Sequence, residues 1–354
     1  MVDIDCKGFF PRETEALLYR LGYQAEIGFC RAYLVGGFVS DLLLGRENRN
    51  LNLLVEGDVP AYARRLQRSL PGKAQWCDIL RTATVHLPGS FIIKISTLKT
   101  DLNILSGEEP NTTVSLKNEL YQRDFTINTM ALVLNPENFC RLHDFFDGVK
   151  DLDKGTIRVL YSLSFVDDPL RLLRALRMER RYGFNIDGET SRLMSAAIAG
   201  RVLHKVSREG ITRELRLIFN EPKPSRVLLR LHELGLWQQV FPRLSYNKAI
   251  LVRLQGLEQM YASLLLAEKR PFRYNTFIIY LCALLYGLSR HDSQYLAHVL
   301  RLKRGEREEM MKILDSVTSV PEKNAGNGDN ENGLINWLIN KCTGEKGAKQ
   351  ENVS

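Results

Sequence analysis

The sequence lacks any run of apolar residues long enough to span a lipid bilayer, which takes about 20 residues in a helix. Its longest apolar run, Phe277–Leu288, predicts a helix buried in a protein core. Residues 1–19 carry four acidic side chains and no apolar core, so we expect no signal peptide. The sequence therefore predicts a protein without a membrane partner.

Cysteine is scarce, and its spacing excludes the common zinc motifs. The six cysteines are scattered and include no Cys-x-x-Cys pair. We expect buried thiols in a reducing cytoplasm and no zinc site.

The charge balance is modest. Lys and Arg outnumber Asp and Glu by 49 to 41, a formal net charge of +8. That excess is compatible with an RNA partner but adds little weight by itself. With 44% hydrophobic and 25% charged residues, the chain has the composition of a globular protein and the length for two or three domains.

The first 145 residues or so have the pattern of a mixed sheet with helices packed on it. Short apolar or alternating runs predict strands, and a glycine or proline ends most of them. The predicted elements are a helix over residues 11–29, strands at Arg31–Val35 and Asn50–Val55, and a hairpin of Thr82–Leu87 with Phe91–Ser96.

Beyond about residue 150 the pattern changes to an almost continuous period of 3.6 residues, which predicts an all-α region. From Pro321 to Gly333 the chain is rich in Asn, Gly and Glu, a composition typical of disorder. The expected domains are a head (1–149), a helical neck (150–220), a helical body (221–316) and a largely disordered tail (317–354).

A glycine pair, Gly36-Gly37, stands between a predicted strand and a predicted helix. Glycines there let backbone amides approach a phosphate closely, and a helix N-terminus favours negative charge. A simple turn explains the pair equally well when it is taken alone.

Five ordered motifs give the pair a context. Together they resemble class II tRNA nucleotidyltransferases and bacterial poly(A) polymerases over about residues 30–240. The motifs are Leu34–Arg46, Arg123–Ala131, Asp144–Arg158, Asp167–Arg177 and Lys205–Leu215. The resemblance implies an α+β fold: a nucleotidyltransferase-type (polymerase β-like) mixed-sheet head followed by an all-α neck and body.

The resemblance also implies a set of nucleotide-binding residues. In the family, the acceptor and donor edges of a neck pair read the incoming base, and Asp168 and Arg171 match that pair. An intrahelical salt bridge at a helix start is the alternative for them. The implied nucleotide-binding residues are Gly36, Gly37, Arg46, Arg123, Asp124, Asn128, Asp168 and Arg171.

Arg174, Arg177 and Arg181 continue a basic stripe along the same predicted helix. Contact with an RNA backbone is one interpretation of this stripe. A solvated charged face is the other.

The departures from the family lie at its metal site. The family's Asp-x-Asp strand, which holds two magnesium ions, reads Asn50-Leu51-Asn52 here, and Lys94 takes the third carboxylate position. The formal charge of these positions moves from about −3 to about +1, and magnesium binds charged oxygens far better than amides. We therefore expect no metal cofactor, and we interpret nearby Glu56 and Asp58 as loop residues rather than replacements.

Two further substitutions weaken the phosphate end of the site. Ser40 replaces a family arginine that supports the triphosphate, and Gln122 replaces the first arginine of the Arg-Arg-Asp segment.

Two function classes follow, with a third behind them. The first is a catalytically inactive relative that binds RNA, with tRNA as the implied RNA, ATP or CTP as implied ligands and an active paralogue as a partner. The second is an active enzyme that adds nucleotides to RNA 3′ ends through an altered site. The third is a protein-interaction scaffold that uses the body helices alone.

Overall fold

The computed structural model describes residues 2–5, 11–77, 82–88, 91–98, 112–266 and 275–318. The chain forms two compact units. We call them the head unit (Met1–Ser164 with Asn185–Thr190) and the helical unit (Phe165–Phe184 with Ser191–Ser354). Residues 319–354, which are most of the predicted tail, lie outside the described part, and the finer division into neck and body stays a prediction.

An eight-stranded sheet forms the centre of the head unit, in the order β1-β8-β7-β2-β3-β6-β5-β4. Strands β3 and β6 run parallel, and the other neighbouring pairs run antiparallel. This confirms the predicted mixed sheet. Its strands are β1 (Val2–Asp5), β2 (Arg31–Val35), β3 (Asn50–Glu56), β4 (Lys73–Cys77), β5 (Thr82–His86), β6 (Ile92–Thr97), β7 (Ala131–Val133) and β8 (Arg141–Asp144).

Helices join the strands of this sheet. Helix α3 begins where Asp58 Oδ1 accepts a hydrogen bond from the Ala61 amide at 2.9 Å, which satisfies one of the donors that a helix start leaves open. This capping bond accounts for Asp58, which is thus part of the frame. The helices are α1 (Arg12–Glu26), α2 (Gly37–Leu43), α3 (Val59–Ser69), α4 (Thr112–Tyr121) and α5 (Gly148–Asp153).

The two faces of β3 have different surroundings, because successive side chains of a strand point to opposite sides. Leu51 and Leu53 are buried on one face. Asn50 and Asn52 share the other face with Leu54, which packs in a core cluster with Leu116 and Leu120 of α4 and with residues of β2 and β7. The sheet therefore presents the two asparagines beside, and not within, an apolar core.

Among the residues described between 164 and 318, helices predominate, as the sequence pattern predicts. A short strand, β10 (Asn185–Ile186), pairs in parallel with β9 (Thr156–Ile157) of the head unit and was not predicted. Helix α7 (Arg171–Tyr182) ends at Gly183, whose φ is +73°, and the chain leaves it in an extended conformation. A strand of two residues hardly interrupts the 3.6-residue period of the flanking helices, so the sequence pattern does not reveal it.

The helices confirm the all-α character of the rest. Helix α13 is buried along nearly its whole length, as the apolar run at Phe277 predicts. Among the described helices, none is both long and apolar enough to cross a membrane. They are α6 (Ser164–Asp167), α7 (Arg171–Tyr182), α8 (Gly188–Ala199), α9 (Arg208–Phe219), α10 (Pro224–Glu233), α11 (Trp237–Val240), α12 (Lys248–Leu266), α13 (Thr276–Leu285), α14 (Arg290–Val299) and α15 (Arg304–Thr318).

Leu51 anchors the strand that carries both asparagines, so its truncation tests the packing of β3. Because Leu51 is fully buried, we expect Leu51→Ala to lower the free energy of unfolding by about 2–5 kcal/mol in urea titrations. Leu163→Ala is the control: this side chain is exposed, and we expect a change below about 0.5 kcal/mol. Equal effects of the two substitutions would contradict the described packing.

Candidate functional site

The centre of the candidate site is a row of neighbours on one face of the sheet. Asn52 of β3 is the Cα partner of Val35 on β2 and of Lys94 on β6. Asn50 lies two residues before Asn52 on the same face. Lys94 is exposed, while its flanking residues Ile93 and Ile95 are buried on the opposite face. The structure thus brings together the three residues that are predicted to stand at the family's carboxylate positions.

A glycine turn adjoins this row. Gly36 has a φ of +79°, a conformation that side-chain-bearing residues rarely adopt. A Cβ placed on Gly36 would lie 2.7 Å from Nη1 of Arg123 and 3.9 Å from Nδ2 of Asn52. A Cβ on Gly37 would lie 3.8 Å from Oδ1 of Asn128. Because Gly36 and Gly37 have no side chains, Arg123, Asn52 and Asn128 can lie close to the backbone of the turn.

Arg123 follows α4 and lies against the glycine turn. Arg123 Nε is buried and has no hydrogen-bond partner among the residues described. Burial lowers the pKa of Arg123, while the negative charges of Asp124 and Glu119 oppose that shift. An arginine remains protonated under such conditions. The site therefore contains a fixed, poorly solvated positive charge.

Hydrogen bonds hold the segment after Arg123 in place. Asp124 Oδ1 accepts from the Phe125 amide at 2.9 Å and from Asn128 Nδ2 at 2.8 Å. Ser40 is fully buried on α2, and its hydroxyl donates to the Ile127 carbonyl at 2.5 Å. Ser40 thus ties α2 to this segment, a structural contact that takes the place of the family arginine's charge.

Arg46 follows α2 in the head unit. It lines a cavity of about 530 Å³ whose lining also includes Arg12, Arg49 and Phe91. The assignment of Arg46 to a nucleotide site stays a prediction.

In the helical unit, Asp168 and Arg171 lie at the start of α7. Asp168 Oδ2 is 3.9 Å from Arg171 Nε and 3.1 Å from Arg174 Nη1, and its Oδ1 accepts from the Leu170 amide. The intrahelical ion pair considered as the alternative is therefore present. Recognition of a base by this pair stays a prediction.

The arginine stripe of α7 is paired with carboxylates of the α9 region. Arg174 Nε lies 2.8 Å from Glu214 Oε1. Arg177 and Arg181 both approach Glu221 Oε1, at 3.2 and 3.3 Å. These pairs join α7 to α9, and they are partly buried rather than freely solvated. Sequence reasoning missed Glu214 and Glu221 as partners, because residues about 40 positions apart carry no local signal of their pairing.

The donor chemistry does not fit a divalent metal. Asn50 and Asn52 offer neutral amides, and Lys94 offers a cation beside them. Across the described ranges, no group of three or more His, Cys, Asp or Glu residues could hold a metal ion. Magnesium is held in proteins chiefly through carboxylates, so two neutral amides beside an ammonium group make a poor site for it.

Gly36 permits a direct test of the turn, with Gly45 as the matched control. Both have positive φ values, +79° and +65°, but an added Cβ would meet Arg123 only at Gly36. We expect Gly45→Ala to cost about 1–2 kcal/mol through backbone strain alone. Gly36→Ala should cost distinctly more, because the buried guanidinium must move. Denaturant titration measures both, and equal costs would mean that Arg123 does not lie against the turn.

Two family models match the chain. The poly(A) polymerase head domain matches residues 32–158. A model described as the probable RNA and SrmB-binding site of polymerase A matches residues 183–247.

Known proteins share this similarity. An A-adding tRNA nucleotidyltransferase of Geobacter sulfurreducens is 36% identical over 78% of this chain and 32% of its own length. One of Halalkalibacterium halodurans is 33% identical over 69% of this chain and 57% of its own length. The chain thus spans from about a third to somewhat over half of these relatives.

Solved structures cover more of the chain. A CCA-adding enzyme with ATP matches 97% of this chain and 87% of its own, at 29% identity and a TM-score of 0.73. The Thermotoga maritima CCA-adding enzyme in complex with tRNA matches the same shares at 28% identity and a TM-score of 0.69. With the glycine turn, the strand pair and the ordered motifs in place, these matches show that the chain belongs to the class II tRNA nucleotidyltransferase family.

Proposed function

We propose that this chain is a non-catalytic, RNA-binding member of its family, with tRNA-like RNA as its ligand. One observation carries the proposal: Asn50, Asn52 and Lys94 occupy adjacent positions on β3 and β6, where two-metal phosphoryl transfer needs carboxylates. Loss of even one group that stabilises developing charge typically costs about 10²–10³-fold in rate. Loss of the entire metal cage costs far more.

The acids described nearby do not replace the missing ligands. Glu56 lies four residues beyond Asn52 on the same strand, which is about 13 Å away at the rise of a β-strand. Asp58 caps α3, and Asp124 already accepts two hydrogen bonds. Asp41 is buried within α2 and accepts from Asn48 Nδ2 at 2.6 Å. Glu56 is thus too far along the strand, and the other three carboxylates are engaged in structural hydrogen bonds.

RNA binding rests on the family and on charge. The relatives are named for adding nucleotides to tRNA, and a matched structure holds tRNA. The net charge of +8 suits a polyanionic partner. A protein that binds RNA ends without extending them would act together with an active enzyme, so we include an active paralogue as a partner. We further propose the cytoplasm as its location.

A second candidate is an active nucleotidyltransferase with an altered site. The retained glycine turn and the hydrogen-bonded segment from Arg123 to Asn128 favour it, because they preserve the frame of a nucleotide pocket. The two candidates make opposite predictions about metal and turnover.

The deciding experiment restores the carboxylates. The chain as it exists is incubated with tRNA lacking its 3′ end, labelled ATP or CTP, and magnesium or manganese. We expect no incorporation, and no binding of Mn²⁺ by calorimetry. The triple variant Asn50→Asp, Asn52→Asp, Lys94→Asp should bind Mn²⁺, because three carboxylates then share one face of the two strands.

The matched control makes the same changes of charge at other positions in the chain. Asn185→Asp, Asn220→Asp and Lys248→Asp change the net charge equally but gather no site on one strand pair. Metal-dependent incorporation by the unaltered chain, abolished by Asn52→Ala, would refute the non-catalytic proposal and establish the second candidate.

Two substitutions that break the same ion pair test the prediction of RNA binding. Arg177→Gln and Glu221→Gln both break the Arg177–Glu221 contact, but only the first removes a cation that could meet phosphate. If α7 binds RNA, Arg177→Gln should weaken binding and reduce the slope of log affinity against log salt by about one. Glu221→Gln should leave the affinity unchanged or raise it.

Filter binding at several salt concentrations measures these slopes, and thermal unfolding reports the shared structural cost. Equal losses of affinity in the two variants would assign Arg177 to packing alone. Failure of the unaltered chain to bind RNA would instead favour a protein-interaction scaffold.

A further inference from the structure

We propose that the head unit binds a polyphosphate without a metal ion, and that Lys94 and Arg123 supply the positive charge. The inference rests on the proposed absence of a metal site and names the ligand class of that same surface. The evidence for it is that one cation, Lys94, lies beside Asn52 and a second, Arg123, lies against the glycine turn.

Lys94 is an exposed cation in uncharged surroundings. Its register neighbours are Asn52 on β3 and Thr84 on β5, both neutral. No carboxylate lies within ion-pair distance of its ammonium group in the part of the chain described. Its exposed ammonium group is therefore open to an anion from solution. Lysine binds phosphate well as a point charge.

Arg123 supplies the second cation from the other side. Its Nη1 lies 2.7 Å from the position of a Cβ on Gly36, and its Nε is buried without a partner among described groups. The Asn52 amide nitrogen lies 3.9 Å from the same point. A phosphate oxygen at this turn would meet a guanidinium and an amide donor in a site that a side chain on residue 36 would close.

Neighbouring acids do not neutralise this arrangement completely. Asp124 and Glu119 act on Arg123 electrostatically. However, Asp124 Oδ1 is engaged by the Phe125 amide and by Asn128. Neither acid is a register neighbour of Lys94. The face that carries Asn50, Asn52 and Lys94 therefore keeps a net positive character.

The separation of the cations selects the ligand. Val35, Asn52 and Lys94 are neighbours across three strands, and strands lie about 4.8 Å apart, so Lys94 and the turn after Val35 are about 10 Å apart. A chain of two or three phosphates spans this backbone distance with the amide of Asn52 between its ends, whereas a single phosphate reaches both cations only when the Lys94 side chain bends toward the turn. A di- or triphosphate, free or carried by a nucleoside, is therefore the ligand that fits best.

Calorimetric titration of the full chain with ATP and with inorganic tripolyphosphate, both in EDTA, tests the proposal. We expect both ligands to bind without divalent metal and to bind more weakly at high salt. Lys94→Ala should weaken both by about tenfold or more, the effect of removing one charge-assisted contact. Lys94→Arg should retain binding.

Lys73→Ala is the matched control, because Lys73 is an exposed lysine on β4, two strands away from Lys94. Absence of binding in EDTA, a requirement for magnesium, or equal losses with Lys73→Ala would overturn the proposal. Binding of ATP but not of tripolyphosphate would also overturn it, because the base would then supply the affinity.

RNA affinity, measured on the same preparations, separates this inference from the proposed function. Loss of polyphosphate binding with intact RNA binding would refute the metal-free site alone. Binding of Mn²⁺ by the unaltered chain would refute the non-catalytic proposal itself.

Discussion

The parallel pairing of β3 with β6 is the constraint on which the functional surface depends. It places Asn52 beside Lys94 and leaves β2, with its glycine turn, on the other side of Asn52. A slip of one residue would turn Lys94 toward the face where Ile93 and Ile95 are buried. Because burying an unpaired ammonium group is very costly, the same residue that departs from the family also helps to fix the register.

The frame of the site and its charge are separable. The frame consists of a glycine with positive φ, a buried serine that ties α2 to the following segment, and an aspartate that holds Asn128. None of these contacts needs a metal ion. Under the proposed function the charge at the centre is reversed relative to the family's carboxylates, which would favour anions over divalent cations at this surface.

Much of this could be predicted from sequence because the signals were local. Period-two patterning and glycine punctuation predicted β2, β3 and the β5–β6 hairpin, and the Asn-x-Asn spacing placed both asparagines on one face. Strands β1, β4, β7 and β8 were not predicted, and two further features carry no local signal. Strand β10 is too short to interrupt a helical period, and the pairing of Arg177 with Glu221 depends on how α7 packs against the α9 region.

The ion pairs between α7 and α9 have a consequence for how such a protein changes over time. Asp168 is bound to Arg174, which is bound to Glu214, so a residue matching the family's base-reading pair is also part of the bonding that joins two helices. Substitution of Asp168 would weaken the fold whether or not a base is ever read. Lys94 and Asn50 are exposed and join no two elements by an ion pair among the described residues, so the fold requires only that these positions stay polar. In a chain that is not selected for turnover, the Asn50–Lys94 surface can therefore diverge while α7 keeps the residues that match the family.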